Sequence, residues 1–342
     1  MSDNGPIRAG IIGAGAISQI VHLPILVERE DVDVVALADR DVHKAEMLSR
    51  RYDVPLVVEA EELLSMDEID AVVLCTPNFL HEEMAVAALE SGKHVLVERP
   101  LATTSEGTKR VVETARSSGK VMSIGLPHRF RPEVIALRSF VQGEELGDLY
   151  AVRGSWLTRA TPAGKSSWRQ DPKASGGALV DLGIPALDLC LWTTDFPKVT
   201  RVACILSRPG DEAKGEAVEH SATLLMETED GIAMTMEVSN RLFAAEDRFY
   251  VRVMGTEGSG SLPPLEVFRQ VGGRPMDVTP RQPKPRGGEN PYTNAYRRLL
   301  DDFVRQITGL RDVSVPAEQV ELMAIIEAAY RSAEEGREVD VG

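Results

Sequence analysis

The sequence predicts an α/β protein of two domains, and three observations carry that prediction. Apolar, strand-like runs alternate with helical segments from residue 7 to about 126. After Pro132 the rhythm changes to strands that follow one another with little helix between them. With 342 residues, the chain also exceeds what one simple core supports. The expected domains are 1–126 and 127–342.

In the first domain "IRAGIIGAGAISQIVHLPIL" runs apolar, turns on glycine and becomes helical. "VDVVALADR" is a second strand, and "DVHKAEMLSRRY" has apolar residues at helical spacing. "AVVLCTP", "HVLVERP" and "VMSIGLPH" are three further strands, separated by the helices "HEEMAVAALESG" and "SEGTKRVVETARSSG". Near-continuous apolar strands alternating with helices call for a parallel sheet covered on both faces.

The second domain opens with the helix "PEVIALRSFVQGEELG". "LYAVRGSWLTR", "TRVACILSRP", "EHSATLLMETEDGIAMTMEVSNRLF" and "DRFYVRVMGTEGSGSL" then alternate apolar and polar residues. Glu229-Asp230-Gly231 is a hairpin turn inside the third of these. Such strands suggest a mostly antiparallel sheet with one wetted face, followed by two amphipathic helices near the C-terminus.

The bulk composition excludes several classes of function. A chain 43% hydrophobic and 27% charged has the balance of a folded globular protein, not of a disordered one. A formal net charge of −15 argues against nucleic acid as a partner, because phosphate contacts need clustered Lys and Arg. Cys75, Cys190 and Cys204 show no zinc spacing and read as buried free thiols in a reducing compartment; no metal is expected. The N-terminus lacks the apolar core of a signal peptide, and no apolar run reaches membrane-spanning length. The expectation is a cytoplasmic protein with no membrane partner.

Gly13-Ala14-Gly15-Ala16-Ile17-Ser18 lies between the first strand and the first helix. The first glycine permits a tight turn, and the second lets a pyrophosphate approach the backbone at a helix N-terminus. Ser18 stands at the third small position. Asp39 follows at the end of the second strand, where a carboxylate can bind both ribose hydroxyls or cap the next helix. Strand, glycine turn, helix, strand and acid together predict a dinucleotide site using Gly13, Gly15, Ala16, Ile17 and Asp39. Asp39 would repel a 2′-phosphate and so favours NAD; Arg40 beside it could pair with that phosphate, which leaves NADP open.

Four stretches, "GAGAIS", "TPNFLH", "GKHVLVERP" and "WRQDPKASGGALVDLG", resemble the glucose–fructose oxidoreductase and inositol dehydrogenase family, Gfo/Idh/MocA. The resemblance spans nearly the whole chain. It implies an N-terminal Rossmann domain, a C-terminal α/β domain with an open, mostly antiparallel sheet, and assembly into a homodimer or homotetramer. The implied reaction is hydride transfer between a nicotinamide and a sugar, cyclitol or sugar-acid carbon. By the same resemblance Thr76, Pro77, Asn78, His81, Glu98 and Arg99 line the cofactor, with Glu98 on the nicotinamide ribose or in a structural ion pair. His22 faces the nicotinamide or packs. Arg99, Arg129, Trp168, Arg169, Asp181 and Asp188 are the expected substrate contacts.

Two positions depart from the family pattern. Arg99 stands where the family typically has lysine, so the charge is kept and proton transfer is lost. Pro185 stands where a histidine is expected, and proline has no titratable group. Proline fits only the first turn of a helix, which places a helix start near Ile184. Asp181 remains as base, with Arg99 steadying the developing oxyanion; His128 is the other candidate for the proton. The competing readings are a nucleotide-dependent regulatory protein with a redox-silent site, and a lyase- or glycosidase-like enzyme with internally recycled NAD. The loop "RQPKPRGGENP" is either solvated or closes over an anion.

Overall fold

The computed structural model describes residues 5–160, 176–208, 218–282 and 290–342. They form two compact units, Met1–Pro127 with Glu289–Val320, and His128–Gly288 with Glu321–Gly342.

The first unit is built on six parallel strands, β1 Ile7–Ile12, β2 Val32–Ala38, β3 Leu56–Val57, β4 Ala71–Leu74, β5 His94–Glu98 and β6 Met122–Gly125. Their order is β3-β2-β1-β4-β5-β6, the doubly wound arrangement that places a ligand crevice at the carboxyl ends of the strands. All four residues of β4 are buried, as a central strand covered on both faces requires. The connecting helices are α1 Leu23–Val27, α2 Val42–Tyr52, α3 Ala60–Ser65, α4 His81–Glu90 and α5 Ser105–Ser118. Local chemistry sets their ends: the Asp41 side chain accepts from Lys44 N to start α2, and Thr104 does the same for Gly107 N at α5.

The second unit carries α6 Pro132–Gln142, β7 Leu149–Arg159, α7 Ile184–Thr193, β8 Val199–Ser207, β9 Ser221–Thr228 and β10 Ala233–Leu242. It continues with β11 Arg248–Gly255, β12 Gly258–Leu262, β13 Glu266–Val271 and β14 Arg274–Asp277. Among the described residues the sheet has nine strands, ordered β14-β13-β12-β11-β7-β10-β9-β8-β15, with β15 at Val339–Asp340. Neighbours pair antiparallel except β7 with β10, which run parallel. Val152, Leu224, Met234, Met236 and Val253 turn one face into a core with Leu187 and Leu191 of α7. The alternate residues face outward, and Ile205 and Leu225 are exposed there.

One element falls outside the expected boundary. Helix α8, Pro291–Ile307, belongs to the first unit and interrupts the expected second domain of 127–342. The reason is its apolar stripe: Tyr296, Leu299, Leu300, Phe303 and Val304 recur at helical spacing and are buried, and α8 packs on β6 and on the turn after β1. The last long helix, α9, spans Glu318–Glu335.

Candidate active site

The glycine turn leaves the carboxyl end of β1 with Gly13 at φ +104°, in the left-handed range that favours glycine. A Cβ there would lie 2.6 Å from the carbonyl oxygen of Cys75, so the turn and the end of β4 touch backbone to backbone. Gly15 and Ala16 are exposed beyond it. Asp39 ends β2 with one carboxylate oxygen on Ala14 N at 2.5 Å and the other on Asp41 N at 2.7 Å. Asp39 is therefore not the helix cap, a role taken by Asp41; it braces the glycine turn, and each oxygen keeps a lone pair for a ribose hydroxyl. Arg40 is exposed next to it.

The first helix begins as a π-turn, Ser18–His22, and only then becomes α1. A second π-turn, Leu179–Gly183, precedes α7. The same cause acts at both. Pro24 and Pro185 have no N–H for the carbonyls of Ile20 and Asp181, and their rings would strike those carbonyls in an α-turn. The residue before each proline instead donates five positions back, Leu23 to Ser18 and Ile184 to Leu179. Pro185 thus shapes the turn that carries Asp181.

Thr76, Pro77 and Asn78 follow β4 as expected for a loop at the strand ends. Ser18 Oγ, at the start of the π-turn, and Thr76 Oγ1, in the loop after β4, are buried without a hydrogen-bond partner. His81, an expected cofactor contact, is placed between two loops. It is buried, with Nδ1 2.6 Å from the carbonyl oxygen of Pro100 and Nε2 2.8 Å from that of Thr76. The ring thus sits between the loop after β4 and the loop after β5, and when neutral it donates to one of the two carbonyls. Burial pushes its pKa down, against the pull of the two carbonyls.

Glu98 ends β5, and Arg99 follows it. Glu98 Oε1 lies 2.7 Å from His22 Nε2 and accepts the Tyr296 hydroxyl at 2.9 Å. The carboxylate only accepts, which fixes the proton of His22 on Nε2. Burial raises the pKa of Glu98, but the His22 and Tyr296 contacts and the Arg99 charge outweigh it and hold it below the usual carboxylate range. His22 is fully buried, so it packs inside the unit instead of lining a surface. In the sequence Tyr296 reads as one more apolar position of an amphipathic helix, and nothing local marks it as a partner of Glu98.

In the second unit Arg129 and Asp188 were expected to contact substrate. The structure spends them on each other: Arg129 Nε donates to Asp188 Oδ2 at 2.8 Å, and its terminal nitrogen bonds the other oxygen. Asp188 is 2% exposed, and a buried carboxylate needs such a partner. Asp181 stays half-exposed on its π-turn, its N–H bonded to Gly177 O at 2.9 Å. Gly177, at φ +122°, lets the Glu219 carboxylate approach, so the close neighbour of this backbone is a protein side chain. Glu219 accepts from Leu179 N at 2.8 Å and from the Tyr330 hydroxyl at 3.1 Å, anchoring the segment that carries Asp181. His128 packs edge-on to Trp156 with ring centroids 5.0 Å apart and stacks on Phe249 at 5.9 Å. Trp168 and Arg169 lie outside the described residues, as does most of the loop 281–291.

The three cysteines are buried free thiols, and burial pushes those of Cys190 and Cys204 up to about 12. Among the described residues no helix is long and apolar enough to cross a membrane, and no cluster of three His, Cys, Asp or Glu is placed to hold a metal ion.

Residues 7–126 match the model of an oxidoreductase family with an NAD-binding Rossmann fold, and residues 138–341 match the C-terminal α/β domain of the same family. The chain belongs to the Gfo/Idh/MocA oxidoreductases. It is 29% identical to the D-glucoside 3-dehydrogenase of Escherichia coli K12, over 99% of this chain and 98% of that one. It is 28% identical to a D-xylose 1-dehydrogenase (NADP(+)) of Haloferax volcanii, over 97% and 99%. Among solved structures, GenD2 from gentamicin A biosynthesis, in complex with NAD, superposes with a TM-score of 0.84 at 25% identity, over 100% of this chain and 98% of that one. Levoglucosan dehydrogenase with NADH and L-sorbose gives 0.87 at 21%, over 99% and 100%, a likeness of fold.

As in other Gfo/Idh/MocA proteins, the first unit is an NAD-binding Rossmann domain. Its residues fit the dinucleotide: a positive-φ glycine turn with exposed residues beyond it, an acid following β2, and unpartnered hydroxyls on Ser18 and Thr76.

Proposed function

We propose that this protein is an NAD-dependent dehydrogenase or reductase acting on a CH–OH carbon of a sugar, cyclitol or sugar acid. The observation that carries the reading is Arg99, a permanent cation set directly after the braced carboxylate of Glu98 at the carboxyl end of β5. Bound in the first unit, the nicotinamide supplies the hydride acceptor or donor. The chain's own residues supply the rest.

Arg99 polarises the reacting oxygen and steadies negative charge on it, but it cannot take a proton at working pH. On the second unit Asp181 is one candidate acid–base group, half-exposed on a turn anchored by Glu219. His128, held between Trp156 and Phe249, is the second candidate for that proton. Hydride transfer itself needs only position and electrostatics, so loss of the family lysine and histidine leaves it possible. With Arg129 committed to Asp188, an acidic substrate would rely on Arg99 and Arg169. Asp39 favours NAD over NADP by repelling a 2′-phosphate.

The outward face of the second unit's sheet, with Ile205 and Leu225 exposed, supports assembly into a homodimer or homotetramer. The competing reading is a redox-silent nucleotide-binding protein, and Pro185 is the feature that favours it. Incubation with NAD⁺ and a panel of sugars, cyclitols and sugar acids tests the two. A carbonyl product, identified by mass spectrometry in one-to-one yield with NADH, supports the dehydrogenase. NAD bound with no product from any alcohol supports the silent site.

A further inference from the structure

Oxidising an alcohol to a carbonyl releases a hydride and a proton, and neither Arg99 nor Pro185 can take the proton. The first unit contains a hydrogen-bonded chain that can. It starts at the Glu98 carboxylate, beside Arg99, whose Oε1 lies 2.7 Å from His22 Nε2 and 2.9 Å from the Tyr296 hydroxyl. The Tyr292 hydroxyl donates to that of Tyr296 at 3.5 Å, and Tyr292 is 40% exposed. The chain therefore runs from a buried carboxylate at the carboxyl end of β5 to solvent at the start of α8.

Its members are held in place by ring packing. His22 and Tyr296 meet edge to face at 5.2 Å, and Tyr292 and Tyr296 at 5.1 Å. His22 Nδ1 is buried with no hydrogen-bond partner, so among the described residues the ring's one polar contact is the Glu98 carboxylate. The titratable and charged groups that act on Glu98 come from several elements: His22, Tyr296 and Arg99, together with His81 and Cys75. Burial keeps the Tyr296 hydroxyl protonated, so it passes protons without becoming a resident anion.

We propose that Glu98, His22, Tyr296 and Tyr292 form a proton path between the cofactor end of β5 and solvent, and that it carries the proton released when the alcohol is oxidised. The path rests on the dehydrogenase reading given above. In the oxidation the C–H bond breaks with its electron pair going to the nicotinamide, the O–H bond breaks with its proton going to Glu98, and the carbon–oxygen bond becomes a carbonyl. Glu98 then gives a proton to the Tyr296 oxygen as Tyr296 gives its own to Tyr292, and Tyr292 releases one to water. Each hydroxyl ends with one proton, because hydroxyl hydrogens rotate to suit either direction. His22 Nε2, hydrogen-bonded to Glu98, keeps the carboxylate ionised between turnovers. In the reductive direction the same chain delivers the proton.

Two measurements on the full chain test this. In cofactor-free protein the His22 Nε2–H, assigned by its loss in His22→Gln, gives a downfield proton resonance whose exchange with water is read by saturation transfer. Tyr296→Phe and Tyr292→Phe keep the rings and remove the hydroxyls. The path predicts exchange slower by about tenfold or more in both variants. Unchanged or faster exchange overturns it, and Tyr292→Phe, at the exposed end, keeps the test valid if Tyr296→Phe misfolds. With an alcohol that the wild type oxidises, Tyr296→Phe is expected to lower kcat by about tenfold or more at unchanged KM, with a larger solvent deuterium isotope effect. A merely structural Tyr296 would lower thermal stability and leave the isotope effect alone. Slowed exchange in a protein that oxidises no alcohol keeps the path and sinks the dehydrogenase reading. Turnover with exchange and kcat unchanged in both variants sinks the path alone.

Discussion

Glu98 and His22 meet at 2.7 Å inside the first unit, 76 residues apart in sequence, at the point where the central strand β5 gives way to Arg99. The contact fixes the histidine tautomer and keeps the carboxylate ionised although it is largely buried. Because the folded pKa of Glu98 is depressed, its contribution to stability is present above the unfolded value of about 4.3 and is lost as pH falls through the folded one. Glu98→Gln is expected to cost about 1–3 kcal/mol at neutral pH. The gap from wild type should close in acid, as read by denaturant unfolding across pH 3 to 8. A gap that stays constant with pH would mean the charge does not matter.

His94 carries a second, separable acid dependence. Its Nδ1 accepts from Val121 N at 3.0 Å, so the ring must be neutral, and burial with help from Lys120 lowers its pKa to about 4. An unfolded histidine takes up its proton near 6.5, so stability should erode between about pH 6.5 and 4, mostly above the range where Glu98 acts. His94→Gln is expected to flatten that segment of the unfolding profile. An unchanged slope in the variant would contradict the assignment.

Gly13 leaves no room for a side chain. A Cβ would lie 2.6 Å from the Cys75 carbonyl on a backbone already at φ +104°. Gly13→Ala is expected to weaken NADH binding by about tenfold or more, roughly 1.4 kcal/mol, in a fluorescence titration of protein that still folds. Equal affinity would place the dinucleotide elsewhere.

Pro185 should matter through the backbone. Pro185→Ala restores an N–H that can bond the Asp181 carbonyl, which turns the π-turn into an α-turn and rotates Asp181. A crystal structure of the variant is expected to show that bond, and kcat should fall while NADH affinity holds. A π-turn that survives the substitution would assign it to packing, with Glu219 as the anchor.

The Rossmann half was legible because its signals are local. Period, glycine and an acid at the end of a strand sit within one βαβ unit, and β1, β2, β4, β5 and β6 lie where the apolar runs are, while the two-residue β3 and the short α3 carry no such run. The hairpin at Gly231 was legible for the same reason. What could not be read depends on distant partners. The Arg129–Asp188 pair spans 59 residues and the Tyr296–Glu98 bond 198, and no periodicity reports either. Tyr296 and Glu219 each look ordinary in sequence, one as an amphipathic core position, the other as a charge before a strand. The two π-turns had a visible cue, a proline shortly after each helix start, but the cue alone fits an ordinary first turn equally well. The interruption of the second domain by α8 was hidden because its stripe of apolar residues does not say which core it covers.

The most direct test of the account is the role of Arg99. Steady-state kcat/KM would be measured from NADH absorbance on the best alcohol of the panel, for wild type, Arg99→Lys and Arg99→Met, with NADH binding checked in each. The account predicts wild-type turnover, a loss of about 100-fold or more in Arg99→Met with NADH affinity kept, and a smaller loss in Arg99→Lys, which retains the charge. Turnover that survives intact in Arg99→Met would contradict it.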